Sequence, residues 1–314
     1  MADEFMIQDG PRLDAAELRA VAKLLDRVVE SGGVRPLSEK VVAELRAGAD
    51  ADGRHIRLYR DDSLVAYANV DCSDADRPVV EIALDPCGES DSVGVLVLDR
   101  LVATTAGDIQ LWCHGSQGNL ANLVVDRGFA LRRTLIRMRR DLSQALPKVD
   151  LPPGVRMRAF RVGEDEQAWL SLNSRAFADL PDQGGWGGSE LAARLRAPWF
   201  DANGFLLAVR EGERGGIDEL VGFHWTKIHT DGADAGLGTR SERVGEVYVL
   251  GVDPAFQGTG LGTALTLLGL AYLASCGLTS VMLYVESDNL AAIHTYERLG
   301  FRRYAADSLF ALKS

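Results

Sequence analysis

Gly245-Glu-Val-Tyr-Val-Leu-Gly-Val-Asp-Pro-Ala-Phe-Gln-Gly-Thr-Gly-Leu-Gly-Thr-Ala264 is the stretch on which the reading of this 314-residue chain turns. It reads as an apolar strand from Val247 to Val252, a turn at Asp253-Pro254, a glycine-spaced loop and the start of an apolar helix. The spacing Gln257-x-x-Gly260-x-Gly262 puts small residues where backbone N–H groups converge on a helix N-terminus. Such a loop favours an anion, because the orphan amides and the helix dipole both attract negative charge. A side chain in place of the glycines would hold a phosphate away from those amides. Taken alone, a Gly-x-Gly turn is more often a strand-to-helix connection without a ligand. The flanks have to decide.

The length suggests two domains of about 150 residues each. Apolar residues make up 46 % and charged residues 25 %, as expected of a water-soluble globular chain. A net charge of −11 argues against wrapping nucleic acid or an anionic membrane, both of which need a clustered positive field. It does not exclude a small anionic cofactor at a locally positive site. The cysteines, Cys72, Cys87, Cys113 and Cys276, are scattered without a Cys-x-x-Cys pair, which argues against structural zinc and a disulfide framework. No basic-then-apolar leader and no apolar run of membrane length is visible. The expectation is a monomeric, cytoplasmic protein without a metal.

In chain order, the first ten residues read as a loose tail. Helices are expected over 14–30, with a glycine stop at Ser31-Gly32-Gly33, and over 39–46, with Ser38 as N-cap. Strands follow at 55–59, 64–70 and 79–84, then a helix at 93–106, a strand at 108–114, a short helix, and a strand at 131–140. Pro147, Pro152 and Pro153 stiffen a linker over 147–154. This gives an N-terminal domain over 1–146 and a C-terminal domain over 155–314. The second half repeats the order: strand 155–160, helix 164–178, a glycine-rich loop 179–188, helix 189–195, and hairpin strands 205–210 and 220–228. A polar loop over 229–244 then leads to the opening strand. Helix 261–275, strand 280–285, helix 290–299 and strand 304–312 complete it. Asp85-Pro86 aligns with Asp253-Pro254, and Arg127-Gly128-Phe129 with Leu299-Gly300-Phe301. A repeat this long means duplicated domains, not a solenoid.

This order, with Gln257-x-x-Gly260-x-Gly262 after the fourth strand of the second half, resembles the GCN5-related N-acetyltransferases (GNAT). The resemblance is strong in the second half and weak in the first. It implies an α/β (α+β) fold of two tandem GNAT domains, each a mixed, mostly antiparallel sheet flanked by helices, and acetyl-CoA as cosubstrate. By resemblance, Leu250, Gly251 and Val252 run along the pantetheine arm of acetyl-CoA. Gln257, Gly258, Thr259, Gly260, Leu261, Gly262 and Thr263 cradle its phosphates. Asn289, Leu290, Ala291, Ala292, Ile293 and His294, at the start of the following helix, touch it as well. Four further blocks, Gly222 to Lys227, Gly245 to Pro254, Leu283 to Asn289 and Gln183 to Trp186, resemble the tandem members that complete mycothiol biosynthesis. That narrower resemblance implies acetylation of the cysteine amine of cysteinyl-glucosaminyl-inositol (Cys-GlcN-Ins). It implies Glu246 as general base, Tyr296 as general acid, and Glu39, Asp182, Lys227, Glu246 and Tyr284 as substrate-binding residues.

The chemistry supports those assignments without requiring them. An α-amino group titrates near pH ~8, so a carboxylate in direct or water-mediated reach is a sufficient base. A phenol is still protonated at neutral pH and can donate to a departing thiolate. From position alone, Glu246 could equally be a charged strand end facing solvent, and Tyr296 a core aromatic beside Phe301. His224 and Trp225 read as packing residues of the hairpin. The first half departs from the pattern, with Glu89-Ser90-Asp91-Ser92 in place of Gln257-Gly258-Thr259-Gly260 and Val124 opposite Tyr296. Two acids oppose a pyrophosphate. The expectation is a catalytically dead first domain that does not hold acetyl-CoA through that loop. Acetylation of another amine (an aminoglycoside or a peptide N-terminus) and a non-catalytic acetyl-CoA sensor remain open alternatives.

Overall fold

The computed structural model describes residues 5–32, 34–47, 53–86, 90–115, 119–212, 218–229 and 243–313. Its first half comprises β1 (Phe5–Gly10), α1 (Ala15–Gly32), α2 (Glu39–Ala47), β2 (Gly53–Arg60), β3 (Ser63–Asp71), β4 (Val79–Leu84), α3 (Ser90–Thr104), β5 (Ile109–His114), α4 (Leu120–Asp126) and β6 (Ala130–Asp141). The second half comprises β7 (Val155–Ala159), α5 (Glu166–Ala176), α6 (Pro181–Gly184), α7 (Gly188–Leu195), β8 (Phe205–Arg210), β9 (Glu219–His229) and β10 (Val244–Val252). It ends with α8 (Leu261–Ser275), β11 (Ser280–Glu286), α9 (Leu290–Arg298) and β12 (Arg302–Leu312). Most of the polar loop expected over 229–244 lies outside the described residues.

One expectation fails at the start. Residues 5–10 are not a loose tail but an edge strand, antiparallel to β2 from Phe5 opposite Arg60 to Gly10 opposite His55. Asp9 ties the strand down through Arg54 at 3.2 Å and Arg100 at 3.1 Å. An edge strand needs only one neighbour, and here the adjacent Met6 and Ile7 are both exposed among half-buried residues, so it carries no period-2 alternation to read.

The twelve strands of the described residues form one sheet, in the order β1-β2-β3-β4-β5-β12-β6-β11-β10-β9-β8-β7. The last strand of each half is inserted into the other. β12 lies between β5 and β6, and β6 lies between β12 and β11. The halves are therefore joined by continuous backbone pairing, while residues 145–152 between β6 and β7 carry neither helix nor strand. Helices cover both faces. α3 and α4 pack Val97, Leu98, Leu101 and Leu123 onto Ile56, Ile82 and Leu111, while α1 and α2 pack on Leu64 and Tyr67. In the second half α8 and α9 cover Val281, Leu283 and Met138, and α5 packs Trp169 among Phe205, Phe223 and Trp225.

Two neighbouring pairs are parallel, β4–β5 and β10–β11. Each holds for only three residues. β10 leaves β11 after Val247 and Leu283, continuing to Val252 on β9, while β11 continues to Glu286 on β6. A register shift in β10 between Val247 and Val249 marks the divergence, as a bulge does when it bends a strand away from its neighbour. The gap opens toward the start of α8.

Candidate active site

Gly258 and Gly260 carry the loop from β10 into α8 at φ +75° and +89°, conformations that L side chains rarely adopt. A Cβ built at either would meet no atom within 4 Å, so their outer side is open space. Asp253 fixes the entry to the loop by accepting from Ala255 N–H at 3.0 Å and from Arg175 Nε at 2.9 Å. The exposed loop ends in the unpaired amides of the first turn of α8, which has no acidic side chain. These features fit a pyrophosphate arm running from the strand gap to the helix start. Asn289 caps α9 on the far side of the gap, accepting from Ala292 N–H at 3.1 Å. Leu290, Ala291 and His294 are exposed there, whereas Ile293 is fully buried and its N–H is spent on Asn289 O at 3.1 Å.

A cavity of about 640 Å³ lies against the pleat where β10 and β11 are still paired. It brings Glu39, Lys227, Glu246 and Tyr284 together, although 188 positions separate Glu39 from Lys227 in the chain. Glu246 sits on β10 opposite Lys227 of β9 and is only 6 % exposed. It is therefore not a solvent-facing strand end. His229, next on the same face of β9 after Lys227, bridges two carboxylates. Its Nε2 lies 2.8 Å from Glu246 Oε2 and its Nδ1 lies 2.8 Å from Glu39 Oε1. Lys227 Nζ donates to the other Glu39 oxygen and lies 5.2 Å from the Trp199 ring centroid.

The charges of this cluster sustain one another. Burial opposes the charged form of His229, but hydrogen bonds and charge from Glu246 and Glu39 outweigh it and raise the imidazole to about 9. His229 is thus an imidazolium at neutral pH and donates from both nitrogens. Burial likewise pushes Glu39 up, and His229 and Lys227 reverse the effect to about 2. Lys227 is raised above the ordinary ammonium range because Glu246 and Glu39 overcome its own desolvation.

The opposite wall of the cavity carries a second bridge. His114 of β5 stands between Glu81 of β4, at 3.4 Å from Nε2, and Asp307 of β12, at 3.3 Å from Nδ1. Arg137 of β6 binds Asp307 through Nε at 2.8 Å and a terminal nitrogen at 2.7 Å. Burial opposes ionisation of His114, but its two carboxylates raise it to about 9. Among the described residues no group of three or more His, Cys, Asp or Glu side chains could hold a metal ion. In this bridge the carboxylates lie at opposite nitrogens of the ring and do not converge.

Tyr296 is not among the residues lining this cavity. It sits on α9 with its ring against Phe301, centroids 5.6 Å apart, and burial pushes its hydroxyl up to about 12. Asp182 falls in α6, and its side chain lies outside the described residues. His224 and Trp225 are fully buried packing residues. His224 lies 2.8 Å from Leu265 O and fills the space that a side chain at Gly269 would occupy.

His229, Glu81, His114, Arg137 and Asp307 also line the cavity, and none of them is singled out by the sequence. A signal for His229 existed: residues i, i+2 and i+4 of a strand share a face, so choosing Lys227 also selects Trp225 and His229. For Asp307 no local signal exists, because only the interleaving of β12 with β5 and β6 carries it to the cavity.

The sequence profile of the acetyltransferase (GNAT) family matches residues 168–301. A mycothiol acetyltransferase of Acidothermus cellulolyticus is 45 % identical, covering 97 % of this chain and 94 % of its own. One of Thermobispora bispora is also 45 % identical, over 93 % and 94 %. Among solved structures, a GCN5-related N-acetyltransferase from Sphaerobacter thermophilus superposes with a TM-score of 0.76 at 21 % identity, covering 100 % and 96 % of the two chains. A tandem GNAT protein from the clavulanic acid biosynthesis pathway gives 0.66 at 15 % identity, over 99 % and 98 %. These last two likenesses concern the fold, whereas the near-full-length identity carries the family: the chain belongs to the mycothiol acetyltransferase family, within the GNAT acyltransferases.

Proposed function

We propose that the protein transfers an acetyl group from acetyl-CoA to the cysteine amine of cysteinyl-glucosaminyl-inositol, directly and without an acyl-enzyme. The observation that carries this reading is the placement of buried Glu246 at the last paired residues before β10 and β11 part, facing a cavity shared by both halves. Acetyl-CoA supplies the activated thioester. Leu250, Gly251, Val252 and the amides of Gln257 to Thr263 would hold it, with the start of α9 on the other side. Glu39, Lys227 and Tyr284 supply hydrogen bonds to the acceptor, and we assign Asp182 to the same role.

In this mechanism His229 holds Glu246 through Oε2, and Oε1 receives the proton that leaves the amine as the new C–N bond forms. The ammonium of an α-amino group titrates near pH ~8, so a neutral amine is available at little cost. We assign the general acid to Tyr296, whose phenol is protonated at neutral pH and would give its proton to sulfur as the C–S bond breaks. The test is an acceptor panel followed by product mass, because the acceptor's own thiol reacts with thiol dyes. Cysteinyl-glucosaminyl-inositol should gain one acetyl group, while glucosaminyl-inositol and an aminoglycoside should not. Turnover with the aminoglycoside alone would keep the fold and discard the substrate. No turnover with any acceptor would favour an acetyl-CoA sensor.

A further inference from the structure

The acetyl-transfer chemistry uses one wall of the cavity and leaves the other without a task. That second wall consists of Glu81, His114, Asp307 and Arg137, flanked by the rings of Trp112 and Tyr304. Glu81 is 6 %, His114 9 % and Asp307 2 % exposed, yet all three line the cavity. Charged groups this buried are costly unless they are bonded, and these are. Asp307 is held by Arg137 and accepts from Gly115 N–H at 3.0 Å, and Glu81 accepts from Ser38 N–H. The two carboxylates, the imidazolium and the guanidinium cancel among themselves, and Arg35 and Arg139 line the cavity as well. Charges of both signs therefore stand side by side along this wall. It offers acceptors and donors in alternation, beside an indole stacked parallel to the imidazole at 5.8 Å. This is the complement of a neutral, polyhydroxylated ring, whose hydroxyls each donate and accept and whose C–H face packs on an aromatic surface.

We infer that this wall is a separate polyol subsite, which receives the hydroxyl-rich cyclitol end of the acceptor while Glu246 on the opposite wall engages its amine. The inference rests on the function proposed above. The cavity, at about 640 Å³, lies within the range of ligand pockets that enclose a whole small molecule and not just a reacting group. Tyr284 joins the walls, since its ring lies 5.2 Å from the Arg137 guanidinium. Because Glu81 and His114 come from the first half, that half would select the acceptor even where it performs no acetylation.

The test compares two acceptors, cysteinyl-glucosaminyl-inositol and cysteinyl-glucosamine without the cyclitol, in the full-length protein. Glu81→Gln keeps the shape of the side chain and an acceptor for Ser38 N–H. It should raise KM for the complete acceptor roughly tenfold, the loss expected when a charged hydrogen bond becomes neutral, with kcat within about twofold. KM for the truncated acceptor should stay unchanged. Trp112→Leu removes the aromatic face but none of the charged side chains, and should give the same split. Equal KM increases on both acceptors, or no increase on either, would overturn the subsite while leaving the acetylation reading intact. Failure of the wild-type protein to acetylate the complete acceptor would overturn both.

Discussion

The two halves open their sheets in the same way and then diverge. β4 leaves β5 after Glu81 and Trp112, as β10 leaves β11 after Val247 and Leu283, and each gap leads to a helix, α3 or α8. At α8 two left-handed glycines border open space and no acid occupies the first turn. At α3 the first turn contains Asp91, and a Cβ on Gly94 would press on Leu123 and Leu84, so α4 has closed in on the helix. Val124, fully buried on α4, stands where the spacing of the repeat puts the Tyr296 phenol on α9. Strand divergence is set by backbone pairing and survives duplication, because losing it would disturb the whole sheet. Anion holding depends on a few residues at a helix start, which can be replaced without cost to the fold. The first half shares the scaffold of the second and contributes Glu39, Glu81 and His114 to the lining of the shared cavity.

This contrast should break most visibly at Glu246. If acetylation is confined to the second half, Glu246→Gln removes the acceptor of the amine proton and nothing in the first half replaces it. The expected loss is roughly 10²–10⁴-fold in kcat, the usual contribution of a positioned base, with little change in KM for acetyl-CoA. Steady-state rates by product mass check this. Retention of more than a tenth of wild-type kcat would mean that the base lies elsewhere.

How much of this arrangement was legible in the sequence follows from the range of each interaction. The strand, loop and helix around Gly245–Ala264 were legible because hydrophobic runs and glycine spacing act within a few residues. Glu39, Lys227, Glu246 and Tyr284 were assigned through a family resemblance, and the structure brings them to one cavity. The acid–imidazole–acid bridges were not legible. Glu39 comes to His229 from another half of the chain, and Asp307 reaches His114 only because β12 is threaded between β5 and β6. The interleaving itself leaves no local mark, since β6 and β12 read as ordinary closing strands. The edge strand β1 failed for the opposite reason, since its exposed and half-buried residues do not alternate.

A milder test copies one position of the first half into the second. Ser92 stands where the repeat places Gly260. Gly260→Ser must either adopt φ near +89°, at a strain of roughly 1–2 kcal/mol, or shift the loop away from the amides it presents. Affinity for acetyl-CoA should fall about tenfold by calorimetry, while α8, which is anchored by Leu261, Leu265 and Leu270, keeps the thermal midpoint near wild type. The same titration of the wild-type protein should find one tight site per chain. Two tight sites would show that Asp91 does not exclude the cofactor and would remove half of the contrast.

The smallest effect sharpens the comparison between the two bridges. His114 and His229 are both raised to about 9 in the folded protein, from an ordinary value of 6.5. Between those values the folded chain holds a proton that the unfolded chain has released, so stability falls as pH rises. Each contribution is complete below about pH 6.5 and is lost as pH passes about 9. Full linkage would give about 1.4 kcal/mol per pH unit for each bridge, and roughly 1 is a better expectation because half-exposed Glu39 is screened by solvent. Glu39, Glu246 and Lys227 face His229, and Glu81, Asp307 and Arg137 stay close to His114, so the two should respond alike. Thermal midpoints measured from pH 7 to 9 should decline in the wild type, and less steeply in His229→Asn or His114→Asn. If only His229→Asn flattens the decline, the bridge on the β12 side is not charged. The wall would then lose the imidazolium that donates to both Glu81 and Asp307, and with it the alternation of donors and acceptors on which the polyol subsite rests.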